Sequence, residues 1–180
     1  GGGGSGGTDG GTGNDIIEIT TAQTDIADSD FANVTAGTVQ TLKLSATGAN
    51  TGTLGTAANT AGIATIQTGA AATSITAANN VGFTIDAETL ADGVALTVAD
   101  SGTSALVVTN LEGDLVTDSL AGTLTITTDD ANAGSNTISI ETAAAATIVN
   151  LKAGAASDTV TINAADLAQN TALTINGSEG

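Results

Sequence analysis

The chain has 180 residues and a net charge of −17, from two Lys and 19 Asp and Glu. It contains no Cys, Met, Trp, Tyr, His, Pro or Arg and only two Phe, Phe31 and Phe83, yet it is 41% hydrophobic. That inventory excludes a basic surface for nucleic acid or anionic membranes, disulfide stapling, a Ser–His–Asp triad, a His/Cys zinc site and an arginine clamp. No apolar run approaches the length of a membrane span, so no direct membrane insertion is expected.

In chain order, the first feature is a Gly-rich stretch that opens on Gly1–Gly4 without a methionine, as a processed or cropped piece would. Within it stands Gly10-Gly11-Thr12-Gly13-Asn14-Asp15-Ile16-Ile17-Glu18. This run fits the nonapeptide G-G-x-G-x-D-x-U-x, a Ca²⁺-binding turn. The glycines allow backbone carbonyls to point inward, the Asp15 carboxylate completes an oxygen cage, and Ile17 anchors the strand that follows. Candidate metal ligands are therefore Gly11, Gly13 and Asp15. Because Ca²⁺ takes six to eight oxygens, a second turn must contribute, and Asp9 and Asp158 are the candidates. The bland alternative is a Gly-rich linker. Asp25, Asp28, Asp30, Asp129 and Asp130 read as solvated turn residues.

Beyond residue 15 the apolar residues alternate with Thr, Ser, Asn or charged ones. Ile17-Glu18-Ile19-Thr20, Thr41-Leu42-Lys43-Leu44, Thr123-Leu124-Thr125-Ile126-Thr127, Asn136-Thr137-Ile138-Ser139-Ile140, Asp158-Thr159-Val160-Thr161-Ile162-Asn163 and Ala172-Leu173-Thr174-Ile175 all show it. Period two puts the aliphatics on one face of a strand, and no sustained helical period competes. Such strands recur every ~10–13 residues between Gly, Asn, Asp and Ser turns. The expected fold class is all-β: a repetitive, parallel β-helix-like β-solenoid of short strands, with a β-sandwich as the alternative. Scarcity of aromatics favours a solenoid or a sandwich over a conventional core, since stacked identical layers leave few irregular spaces to fill.

An internal repeat supports this. Residues 83–102 align without gaps to 160–179, with nine of twenty positions identical and an offset of 77. Residues 64–73 align to 138–147 at an offset of 74, and Thr41–Leu44 matches Thr123–Ile126. The expected organisation is a nonapeptide turn and first strand over 1–20, a repeat unit over 21–105 and a second over 106–180, sharing one continuous core. A ~75-residue unit would make about three coils of ~25 residues.

The nonapeptide Gly10–Glu18 and the segments 30–44, 54–66 and 111–115 resemble the repetitive β regions of calcium-binding RTX-type bacterial surface-layer proteins and related large type I-secreted adhesins. The resemblance implies Ca²⁺ as the stabilising ion, an extracellular, cell-surface location, and a structural role through self-association with copies of the same protein. A stalk module of a large adhesin is the alternative, and an enzyme is not expected. The chain departs from that pattern in holding a single good nonapeptide.

Overall fold

A computed structural model describes residues 14–129, 135–140, 146–152 and 159–177. Fifteen short strands alternate between two sheets. The first sheet takes β1 (Ile16–Ile19), β3 (Thr41–Leu44), β5 (Thr65–Gln67), β7 (Thr84–Asp86), β9 (Leu106–Leu111), β11 (Leu124–Thr128), β13 (Thr147–Asn150) and β15 (Leu173–Asn176). The second takes β2 (Ile26–Ala27), β4 (Asn50–Leu54), β6 (Thr73–Ala77), β8 (Ala95–Asp100), β10 (Asp114–Asp118), β12 (Ser135–Ile140) and β14 (Thr159–Asn163). Every pairing is parallel, each strand lying on the next strand but one in sequence. This is the expected β-solenoid, one strand from each sheet per coil, and the sandwich alternative falls away.

The reason is visible in the register. Down the eight-stranded sheet one inward column runs Ile17, Leu42, Ile66, Ile85, Val108, Ile126, Val149, Ile175. From Leu42 to Val149 each member is fully buried. Each such burial is worth about 1.5–3 kcal/mol, and β-branched side chains suit the pleat. The outward neighbours in the same sheet form a second column, Ile16, Thr41, Thr65, Thr84, Val107, Thr125, Ile148, Thr174, in which every residue is β-branched. One face of each strand thus builds the core while the other forms a flat ledge of small, stiff side chains. The two Phe are both buried, Phe31 in the turn after β2 and Phe83 at the start of β7, where the coils bend.

Where the sequence lacked a helical period, the described residues hold one short α-helix, α1 (Thr56–Ala61), beside a single 3-10 turn at Asp28–Phe31. It ends at Gly62, whose φ of 108° and close approach to the Val39 carbonyl leave no room for a side chain. Its signal is a turn-length Ala/Asn segment, too short for a periodic pattern to register.

The aligned segments are not a whole number of coils apart. Residues 83–102 carry β7 and β8, and 160–179 carry β14 and β15. Likewise 64–73 leads from β5 into β6, and 138–147 leads from β12 into β13. Both matches advance by seven strands, which is three and a half coils. The equivalent strands therefore lie on opposite sheets, contrary to the expectation of about three whole coils. The turns agree in detail. The N–H groups of Leu90 and Leu167 donate to the carbonyls of Ala87 and Ala164, each at 3.2 Å, and those of Val94 and Thr171 to Ala91 and Ala168, each at 3.0 Å. Gly93 and Asn170, 77 residues apart, both sit in the left-handed region, at φ 65° and 67°. The match of Thr41–Leu44 to Thr123–Ile126 is different: β3 and β11 are eight strands apart and share a sheet.

Candidate functional site

The coils are tied at their bends by side chains that reach from one rung to the backbone of a neighbouring one. Gln40 Oε1 accepts from Asp15 N at 2.8 Å, Asn50 Oδ1 from Gln23 N at 3.1 Å, Asn80 Oδ1 from Thr103 N at 2.9 Å and Asp114 Oδ1 from Thr137 N at 2.7 Å. At a bend the ladder is interrupted, so these backbone donors need such partners.

Asp28 is the strongest example. Its Oδ1 accepts from Gly55 N at 2.8 Å and Ala58 N at 2.9 Å, and its Oδ2 from Ala57 N at 3.0 Å. The carboxylate thus caps the start of α1 from the coil below, where the free N–H groups and helix dipole favour negative charge. Burial pushes its pKa up, but the three backbone N–H bonds outweigh it and hold the group below its ordinary value. Asp30 Oδ2 accepts from Ala27 N at 3.0 Å. Both acids were expected as solvated turn residues. Asp30 is one, exposed and bonded only within its own turn, whereas Asp28 is a brace whose signal lay in the next coil, 27 residues away, where local reading does not look.

Of the predicted metal ligands, the described residues include Asp15 alone; Gly11, Gly13, Asp9 and Asp158 lie outside them. Asp15 is fixed by its backbone, since its carbonyl accepts from Gln40 N at 3.0 Å and Thr41 N at 3.2 Å. Its Oδ2 is buried without a hydrogen-bond partner. An anionic oxygen so placed is what a cation ligand offers, because burial without compensation is costly. Among the described residues no group of three or more acids is arranged to hold a metal ion.

A second buried carboxylate escaped the sequence reading. Asp100, at the end of β8, is 2% exposed. Its Oδ1 accepts from Gly102 N at 2.8 Å, while its Oδ2 has no hydrogen-bond partner and packs against Gly122 of the next bend. A Cβ at residue 122 would stand 2.8 Å from that oxygen and overlap the Ser104 carbonyl, so glycine is required there.

The cations serve the same bracing purpose. Lys43 Nζ lies 3.1 Å from Glu18 Oε1 across β3 and β1, and Lys152 Nζ lies 2.6 Å from Asp129 Oδ1. Ser45 Oγ donates to the same Glu18 oxygen at 2.6 Å, and this bond, followed by Lys43, lowers the Glu18 pKa. On the outer face of the seven-stranded sheet, a shallow open groove is lined by Ala49, Ala72, Ala95, Thr51, Ser74 and Thr97 among others. Its methyls and hydroxyls include no charged or aromatic group to grip a substrate.

No family model, no curated protein and no solved structure matches the chain. No helix among the described residues is long and apolar enough to cross a membrane.

Proposed function

We propose that the chain is a structural segment of a bacterial surface assembly, self-associating outside the cell, rigidified by Ca²⁺ and without catalytic activity. The observation that supports this best is the stacking of the described strands into two parallel sheets around aliphatic columns. A rod of this kind has repetition along its length, as a self-associating structural segment requires. The resemblance to RTX-type surface-layer proteins points the same way, as does an inventory without His, Cys or Arg.

Calcium enters at Asp15. The buried, unpartnered Oδ2 of Asp15 suits a cation ligand, and Gly11, Gly13, Asp9 and Asp158 would supply further oxygens. Divalent cations would also offset the repulsion that a net charge of −17 imposes on copies brought together. A stalk module of a large adhesin is the second reading, favoured by that same charge, which holds rods apart when calcium is low.

The test of the calcium half is thermal melting with calcium and with chelator. Saturation to about 100 times Kd stabilises by about 2.7 kcal/mol, a rise of roughly 5–10 °C for a chain of this size. Asp15→Asn should remove most of that rise. An unchanged melting temperature on chelation would sink the calcium proposal.

A further inference from the structure

Register places Asp100 among apolar positions. It follows Leu54 and Ala77 in an inward column of the seven-stranded sheet, and both of those residues are fully buried. An aliphatic side chain would suit that place, so the carboxylate there needs a reason of its own. The hydrogen bond it makes does not supply one. Its Oδ1 accepts from Gly102 N, two residues on, and a neutral amide makes the same bond at Asn163, whose Oδ1 accepts from Ala165 N at 3.2 Å. Asn at position 100 would hold the turn equally well without taking a charge out of water.

A buried carboxylate is ordinarily paired. The chain has two basic side chains in all, and they stand elsewhere: Lys43 beside Glu18 and Lys152 beside Asp129. Two further oxygens of the same bend are as poorly satisfied as Asp100 Oδ2. The Ser104 carbonyl shares with it the close approach to Gly122, where a Cβ would stand 2.8 Å from the carboxylate oxygen and overlap the carbonyl. That carbonyl accepts no hydrogen bond among the described residues. The Ser104 hydroxyl is buried and has no partner either. A carboxylate, a carbonyl and a hydroxyl form the donor set of a hard cation, and such an ion would both fill their bonding capacity and neutralise the charge.

The single charge selects the valence. Asp118, on the next strand, is exposed and stands at the register of Ala99, on the outward side. A divalent ion would therefore leave one positive charge uncompensated in the interior, whereas a monovalent ion leaves none.

We infer that the bend between β8 and β9 binds a monovalent alkali cation, ligated by Asp100 Oδ2 and by the hydroxyl and carbonyl of Ser104. The site is separate from the calcium reading, whose Asp15 lies at the entry to β1 in another coil. Bound there, the ion fixes this bend against Gly122 of the following one. The stability of the stack then depends on which salt is present and not only on how strongly the salt screens.

The experiment is thermal melting of the purified chain in sodium chloride, potassium chloride and choline chloride at equal ionic strength, without calcium. All three screen the net charge of −17 alike. The expected result is a melting temperature about 3–6 °C higher in sodium or potassium, at about ten times Kd, than in choline. Asp100→Asn, which keeps the bond to Gly102, should abolish that difference, and Asp118→Asn should preserve it. Ser104→Ala should weaken the cation response several-fold, and it carries the test if Asp100→Asn folds poorly. Crystals soaked in thallium(I) acetate should show an anomalous peak beside Asp100 Oδ2. Equal melting in the three salts, a preference that survives both Asp100→Asn and Ser104→Ala, or water alone beside Asp100 in the thallium crystals would overturn the site. A response to calcium chloride with none to the alkali salts, removed by Asp100→Asn, would overturn the monovalent assignment.

Discussion

At Asp28 three backbone N–H groups from another coil converge on one carboxylate, and the consequences can be measured. Asp28→Ala removes the cap of α1 and should cost about 1–2 kcal/mol, several degrees in melting temperature. The sign with pH follows from the lowered pKa. A carboxylate whose folded pKa is depressed contributes stability above its unfolded pKa and loses it as pH falls through the folded value. Melting temperature should therefore drop on acidification below the ordinary carboxylate range, and Asp28→Asn should be less sensitive over that window. Equal acid sensitivity in both proteins would remove the proposed role of this charge. The residue was legible as an acid in a turn, but its partners were not. The bends of a solenoid bring together residues a coil apart, and a sequence read locally holds no record of which coil lies above which.

Among the elements, strands were the legible part. Strict alternation at Thr123–Thr127, Asn136–Ile140 and Thr159–Asn163 reappears as β11, β12 and β14, with the aliphatics inward. Period two is a property of each strand alone, so it survives without knowledge of the fold. The helix α1 and the number of residues per coil were not legible, because both depend on how bends pack. The repeat shows the same division. Its alignment was visible, whereas its advance by seven strands needed the strand count of every intervening coil. The equivalence can be tested at the turns. Position 93 shares the left-handed backbone of Asn170, and nothing lies within 4 Å of a Cβ there. Gly93→Asn should thus be close to neutral, whereas Gly93→Val should cost about 1–2 kcal/mol. If urea unfolding gave the two variants equal stability, the shared turn conformation would be wrong. Of the candidate calcium site, only the Asp15 strand entry lies within the described residues, so its legibility rests on the motif and on one buried carboxylate oxygen.

The whole molecule combines a uniform aliphatic interior, flat outer faces of Thr and small residues and a large negative charge. Flat faces favour association, and charge opposes it until ions screen or bridge the acids. On the proposed function, calcium would be the switch between separate rods and an ordered assembly. That switch is tested most directly by negative-stain electron microscopy of the purified chain in calcium and in chelator. Regular filaments or sheets with calcium that disperse on chelation are predicted. Separate elongated rods in both conditions, or amorphous aggregates indifferent to calcium, would contradict it.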